Sequence, residues 1–387
     1  MIYLDYQATT PVDPRVLAAM LPWFSERFGN PHSAGHAYGA EAAHAVEAAR
    51  ARIAQSIGAE PAEIVFTSGA TESNNLAIKG AARFGRPGRT RIVALATEHK
   101  CVLESVGDLA AEGFETVILP VGPSGLVDLD RLDRALDERT LLVSVMAANN
   151  EIGVIQDLAA IGRLARAKGV LFHSDAAQAF GKVALDVERM GLDLVSISGH
   201  KIYAPKGIGA LYVRRRPRVR LSPLFSGGGQ ERGLRSGTLA PALCVALGEA
   251  ARLYAEEGEA EAVRLGRLAA LLRGRLPGAL LNGAAAPRLP NSLNLAFPGV
   301  LATDLVAALP QLALSTGSAC TSADLAPSYV LTAIGCDRAR AQSSLRISLG
   351  RPTTEAEVVE AAGLIAVTVE RLRARGLAPA AMADNIG

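Results

Sequence analysis

Short runs of aliphatic and β-branched residues alternate with longer alanine-rich stretches through the first two thirds of the chain. Residues 64–67, 91–96, 116–121, 141–147, 170–174, 194–198 and 210–214 read as strands. These runs are nearly continuous in apolar residues, as strands covered on both faces are. Between them, Val46, Ala49, Ile53 and Ile57 recur at helical spacing over 40–57, and Gly58 ends the pattern. Asp13 before Pro14 reads as a helix N-cap with proline in the first turn. Strands alternating with helices predict an α/β domain built on a mostly parallel, seven-stranded sheet.

The pattern changes near residue 250. Residues 250–276 read as one or two long helices rich in Glu and Arg, followed by a Pro/Gly/Ala stretch at 283–290. Strands are expected at 293–297 and 345–349, and a terminal helix from Glu355 to about Arg375. The chain therefore divides into a large domain, 14–252, and a smaller α+β domain made of 1–13 and 253–387.

Composition narrows the function classes. Forty Lys and Arg against 38 Asp and Glu leave a net charge of +2 over 387 residues, which argues against a nucleic-acid or polybasic membrane surface. Hydrophobic residues make up 49% but aromatics only 4%, so Ala, Val, Leu and Ile must fill the core. No stretch approaches the roughly 20 apolar residues of a membrane span. The start, MIYLDYQATTPVDP, lacks the basic and apolar regions of a signal peptide, so a cytoplasmic protein is expected. The four cysteines, Cys101, Cys244, Cys320 and Cys336, form no CxxC pair and are too few for a disulfide scaffold.

Four predicted strand ends carry candidate chemistry, and ligands of open α/β sheets bind at the carboxyl ends of strands. Ser198-Gly199-His200-Lys201 offers a lysine able to form a Schiff base, although alone it is equally a surface charge. Asp175, in His173-Ser174-Asp175-Ala176-Ala177-Gln178, is a helix cap or the carboxylate that keeps a pyridine cofactor's ring nitrogen protonated. Thr67-Ser68-Gly69-Ala70-Thr71 joins a strand to a helix start and suits a single phosphate. Walker and dinucleotide glycine motifs are absent. His99, in Thr97-Glu98-His99-Lys100, is a structural residue or a ring-stacking proton shuttle. His32, His36 and His44 lack metal-ligand spacing, and Arg214–Arg220 reads as a solvated turn.

The cysteines differ in context. Cys244 lies among aliphatics, Cys101 beside the histidine strand end, and Cys336 after the next predicted helix with no evident partner. Cys320 sits in Ser315-Thr316-Gly317-Ser318-Ala319-Cys320-Thr321-Ser322-Ala323, a run of small polar residues that reads as a mobile, exposed loop suited to a nucleophilic thiolate.

These motifs carry a likeness over nearly the whole chain. TSGATESNN, TEHK, NNEIGV, HSDAAQ, SGHKIYAPKGIGALYVR, GGGQERGLRSGT, STGSACTSA and LRISLGRPTT resemble the pyridoxal-phosphate-dependent cysteine desulfurases of the iron–sulfur-cluster and nitrogenase assembly group. The resemblance implies a fold-type-I transferase with pyridoxal 5'-phosphate as cofactor and L-cysteine as substrate. It implies Lys201 as the Schiff-base lysine, Asp175 as partner of the ring nitrogen and Gln178 as partner of the phenolic oxygen. His99 would stack on the ring and assist proton transfer. Ala70, Thr71, Ser198 and His200 would hold the phosphate, with Thr238 reaching the phosphate of the neighbouring subunit in a homodimer. Asn150 and Arg346 would bind the substrate carboxylate, with Asn150 also at the cofactor.

Cys320 would take the sulfur as a persulfide, releasing L-alanine. The sulfur would then pass to an iron–sulfur scaffold, a tRNA-thiolation protein or another acceptor. The resemblance implies no resident metal, with Cys320 as a transient iron–sulfur ligand, and no direct contact with nucleic acid or membrane. Gln7 stands where many relatives carry a small residue, and Asp324-Leu325-Ala326 departs from the usual arrangement before Pro327.

Overall fold

The chain starts on a two-residue strand, β1 (Ile2–Tyr3), and enters its first helix, Pro14–Met20, through Asp13, whose carboxylate accepts from Arg15 N at 2.9 Å. The computed structural model describes residues 1–33, 35–316 and 327–376. Helix Ala37–Gln55 follows, opened by the His36 side chain, which accepts from Gly39 N at 3.1 Å.

The seven predicted strands form one sheet: β2 (Ile64–Thr67), β3 (Arg91–Leu95), β4 (Glu115–Leu119), β5 (Thr140–Ser144), β6 (Leu171–Asp175), β7 (Leu194–Ser198) and β8 (Gly209–Val213). Their order is β2-β8-β7-β6-β5-β3-β4, and only β8 runs antiparallel to its neighbours. The strand expected at 141–147 ends earlier, at Ser144, because the residues beyond it leave the ladder singly. Val145 N still reaches His173 O at 3.0 Å and Ala147 N reaches Asp175 O at 2.9 Å.

Successive strand residues face opposite sides of a sheet. Val93 and Leu95 accordingly join the apolar cluster built with helices Ala37–Gln55 and Pro241–Gly274. Ile92 and Ala94 join a second cluster under helices Ala70–Phe84 and Lys100–Ala111. Both faces of the sheet are thus covered, which explains why its strands read as unbroken apolar runs.

The helix predicted at 250–276 begins earlier, at Pro241, and spans 34 residues. Its proline occupies the first turn, where no intrahelical N–H is needed. Leu247 and Leu253 pack in the large cluster, whereas Leu265, Leu268 and Leu272 pack in a separate one. That separate cluster is built on β9 (Leu280–Leu281), β10 (Ser292–Ala296), β11 (Leu312–Ala313), β12 (Ser344–Ser348) and the terminal helix Glu355–Gly376, and it takes in Ile2 and Leu4 from the chain start. β12, β10 and β9 form an antiparallel sheet, and β1 pairs in parallel with β11. In this register Arg346 lies opposite Asn294.

Two charged features depart from a purely solvated reading. Arg214, expected in an exposed turn, is buried against Asp193 at 3.3 Å, while Arg215–Arg218 remain outside. Farther on, Glu231 and Arg232 take left-handed φ values of 48° and 59°. Side-chain contacts hold Glu231 there. Arg50 Nη1 and Nη2 fork onto its carboxylate at 2.8 and 2.7 Å, and Phe66 N donates to it at 2.6 Å. The Arg50 guanidinium also lies over the Phe66 ring, 4.8 Å from its centroid. Among the described residues no helix is long and apolar enough to cross a membrane.

Candidate active site

The carboxyl ends of β3, β6 and β7 and the helix start after β2 surround a cavity of about 540 Å³. It brings together Ala70, Thr71, His99, Asn150 and Asp175, and with them Gln178, Ser198, His200, Lys201 and Arg346. Thr238 is exposed and lies outside this lining. Cys320 lies outside the described residues.

One end of the cavity is built for an anion. Helix Ala70–Phe84 follows β2 through Gly69 with no side chain capping its first N–H groups, so those donors and the helix dipole remain available. Close packing sets this turn: a Cβ on Gly209 would stand 2.4 Å from Ile197 O and 2.6 Å from Gly69 Cα. Ser198 and His200 approach from the end of β7. His200 Nδ1 lies 3.1 Å from Thr9 Oγ1, and burial, with Lys201 and Lys206 nearby, pushes its pKa down to about 4. It is therefore a neutral imidazole at neutral pH.

The centre holds a carboxylate and an amine. Asp175, at the end of β6, accepts from Asn74 Nδ2 at 2.7 Å and from Ala177 N at 2.9 Å. Lys201 Nζ donates to the carbonyls of Gln7 and Ala8, each at 2.6 Å. Gln178 Nε2 donates to the same Gln7 carbonyl at 2.8 Å. His99 caps helix Lys100–Ala111, its Nδ1 accepting from Cys101 N at 3.2 Å, which assigns the ring proton to Nε2. Burial lowers its pKa, with Asp175 opposing, so the ring is held neutral. His173, one strand residue before Ser174, is a buried imidazole between Ser144 Oγ at 2.8 Å and Ser196 Oγ at 3.0 Å, and its role is structural.

The other end suits a small carboxylate. Arg346 is almost fully buried on β12, donating from Nη2 to Asp5 Oδ1 at 2.8 Å and from Nη1 to Asn150 O at 2.9 Å. Among the described residues its Nε has no protein partner, nor does Asn150 Oδ1. Three of the five guanidinium N–H donors thus remain for a ligand.

Among the lining residues to which sequence reasoning gave no role are Cys101, Glu151 and Tyr329. Cys101 Sγ lies 3.0 Å from His99 Nδ1 and 3.1 Å from Asn74 Nδ2, and burial, with Asp175 near, pushes its thiol up to about 12. A thiol so held is protonated and unsuited to nucleophilic attack. Its position two residues after a capping histidine was the available signal. Glu151 is buried next to Asn150, and burial raises it to about 7 against the opposing pull of Ser328 and Arg346. Tyr329 donates to Glu98 O at 2.8 Å. Nothing local in the sequence connects it to residue 98. Cys336, expected without a partner, has Asn282 Oδ1 3.6 Å from its Sγ.

Taken together, an uncapped helix N-terminus, a buried carboxylate, a lysine amine and orphaned polar atoms at Gln7 Nε2 and Asn150 Oδ1 suit a phosphorylated pyridine aldehyde. The helix N-terminus fits a phosphate, the Asp175 carboxylate a ring N–H and the Lys201 amine an aldehyde.

Comparison with known proteins gives the same direction. The class-V aminotransferase family profile matches residues 2–360. The protein named cysteine desulfurase IscS from Rickettsia akari (strain Hartford) is 54% identical over 349 residues, covering 89% of this chain and 85% of that protein. A solved NifS-like protein superposes with a TM-score of 0.89 at 38% identity, covering 96% of this chain and 99% of its own. A structure described as SspA in complex with cysteine superposes at 0.81 with 39% identity, covering 90% of this chain and 99% of its own.

Proposed function

The chain belongs to the class-V aminotransferase family, in its cysteine desulfurase group, and from that premise we propose how its residues remove sulfur from L-cysteine. It is a pyridoxal-phosphate-dependent enzyme of fold type I. The observation that carries the residue assignment is the convergence of Lys201, Asp175, His99 and Arg346 on one cavity with an uncapped helix N-terminus at its far end.

When bound, the cofactor supplies an electron sink for the charge left at the substrate's α-carbon. Asp175 keeps the proton on the ring nitrogen. The first-turn N–H groups at Ala70 and Thr71, with Ser198 and His200, hold the phosphate. Gln178 donates to the phenolic oxygen. Lys201 Nζ would hold the cofactor's aldehyde and would serve as the base for the α-proton. His99 presents its Nε2 proton over the cavity and donates it where charge develops. Arg346 Nε and its remaining Nη hydrogens bind the substrate carboxylate, with Asn150 beside them.

Cys320 supplies the nucleophile. Its thiolate attacks the substrate sulfur, the Cβ–S bond breaks and an S–S bond forms on Cys320. The three-carbon remainder takes up protons and leaves as L-alanine. The outer persulfide sulfur then passes to a protein acceptor, an iron–sulfur scaffold or a thiolation carrier, leaving Cys320 as a thiolate that serves as a transient cluster ligand where the acceptor is a scaffold. We assign residues 14–252 to the cofactor domain and residues 1–13 with 253–387 to the smaller one, a division supported by the two separate apolar clusters. A homodimer, in which exposed Thr238 reaches the partner's phosphate, and a reducing cytoplasmic location complete the reading.

The test is incubation of the purified holoenzyme with L-cysteine and a thiol reductant, scoring sulfide and alanine together. Equal yields, both lost in Cys320→Ala, are expected. Pyruvate in place of alanine, or undiminished turnover by Cys320→Ala, overturns the assignment.

A further inference from the structure

A lysine outside the assigned roles stands behind the cavity. The turn after β6 runs through Ala176–Val183, with Phe180 N bonding Ala176 O at 2.8 Å and Lys182 N bonding Ala179 O at 2.9 Å. Gly181 makes it possible: its φ is +75°, and a Cβ there would stand 2.4 Å from Ile202 Cγ2, beside Lys201. This turn aims Lys182 back under the cavity, where its Nζ donates to Gln178 Oε1 at 2.9 Å.

That contact decides which way the Gln178 amide faces. Oε1 is taken by Lys182 and Nε2 donates to Gln7 O at 2.8 Å. The Gln7 carbonyl also accepts from Lys201 Nζ at 2.6 Å. A continuous hydrogen-bonded path therefore runs from Lys182 through the Gln178 amide and the Gln7 carbonyl to Lys201. With Oε1 occupied, the amide can turn only its NH₂ group to a ligand in the cavity; flipped, it would set its NH₂ against the lysine donors and present a carbonyl to the ligand.

We propose that Lys182 is a positioning residue, which locks Gln178 as a hydrogen-bond donor toward the phenolic oxygen of the cofactor. The proposal deepens the function proposed above and rests on it. Lys182 also lines a recess of about 40 Å³ between the two apolar clusters, together with Lys201, Tyr203, Tyr254, Glu261 and Arg351. The carboxylate there, Glu261, is forked to Arg264 at 2.8 Å. Burial, with the positive charges of Lys201 and Arg346, pushes Lys182 down to about 7. An amine donates a hydrogen bond whether charged or neutral, so the lock holds across that titration.

The experiment compares wild type, Lys182→Met, Lys182→Arg, Gln178→Ala and the Lys182→Met/Gln178→Ala double variant as holoenzymes. The readouts are the pH midpoint of the bound cofactor's visible absorption band and the rate of cofactor loss on dilution. A donor at the phenolic oxygen stabilises its negative charge, so losing that donor makes the neighbouring proton harder to remove. Lys182→Met is expected to raise the midpoint by about one pH unit, the scale of one lost hydrogen bond, and to speed cofactor loss about tenfold. Lys182→Arg, which keeps the donor, restores both, and the double variant titrates like Gln178→Ala alone.

A Lys182→Met midpoint equal to wild type overturns the proposal, as does a full additional shift in the double variant. Should Lys182→Met fail to fold, Lys182→Gln, which keeps a donor, replaces it and is expected to titrate within a few tenths of a unit of wild type. A larger shift in Lys182→Gln overturns the proposal. A wild-type protein that shows no visible band with added pyridoxal phosphate instead overturns the functional reading beneath it.

Discussion

Replacing Arg50 or Glu231 singly removes one half of a buried ion pair whose side chains are 4% and 2% exposed. Arg50→Met leaves the Glu231 carboxylate with only the Phe66 amide, and Glu231→Gln leaves a guanidinium facing a neutral amide beneath the sheet edge. Breaking a buried pair by removing one partner costs about 3–5 kcal/mol, whereas replacing both by neutral groups of similar shape is close to neutral. Unfolding entropy of about 2.1 cal/mol/K per residue over 387 residues converts that cost into a fall in Tm of about 4–6 °C for either single variant. The double variant Arg50→Met/Glu231→Gln is expected to lose less than the two single losses together, with a coupling of at least about 2 kcal/mol. Thermal unfolding by circular dichroism at fixed protein and cofactor concentration measures all four proteins. Additivity within about 0.5 kcal/mol would refute the reasoning, because it would show the fork to be energetically idle. The strain at Glu231 and Arg232, about 1–3 kcal/mol each for left-handed non-glycine residues, is then held by backbone contacts alone. On the role proposed for Thr238, seven residues beyond Glu231, both single variants should also bind cofactor more weakly than the double variant.

Two further outcomes follow from the geometry. Gly209→Ala forces a methyl group against Ile197 O and Gly69 Cα, costing about 1–3 kcal/mol and loosening the phosphate turn, which equilibrium titration with pyridoxal phosphate should read as at least tenfold weaker binding. Burial pushes His173 down to about 3 from its ordinary 6.5, so the unfolded chain binds its proton first as pH falls. Stability is therefore full above pH 6.5 and declines toward pH 3, by about 3 kcal/mol at pH 4 from this residue. A His173→Gln variant should show a flatter fall of Tm between pH 6.5 and 4 than wild type, and an equal slope would contradict the assignment.

Much of the architecture was legible because its physics is local. Strands covered on both faces read as unbroken aliphatic runs, and all seven appear within three residues of their expected edges. The long helix was misjudged at its start because Pro241 reads as a breaker unless it is placed in the first turn. Arg214 looked solvated because its partner, Asp193, sits across a strand pair and not beside it in sequence. The Arg346–Asp5 contact spans 341 residues, and no local pattern could announce it. The same holds for Tyr329, which donates to the carbonyl of Glu98 across 231 residues. Cys101 and Glu151 were passed over because burial, which sets their proton affinity, has no signature in a single sequence. Lys201, Asp175 and His99 were visible because strand ends are few and each carries an unusual side chain.

The helix Pro241–Gly274 belongs to both large apolar clusters at once, with Leu247 and Leu253 in one and Leu265, Leu268 and Leu272 in the other. It acts mechanically as a beam through two walls. Neither half of the chain can be expressed alone without baring a leucine stripe that the other half covers. Nor can the halves swing apart about residue 252 without breaking hydrogen bonds in mid-helix. The spacing of the two clusters is thus tied to the backbone hydrogen bonds of this one helix.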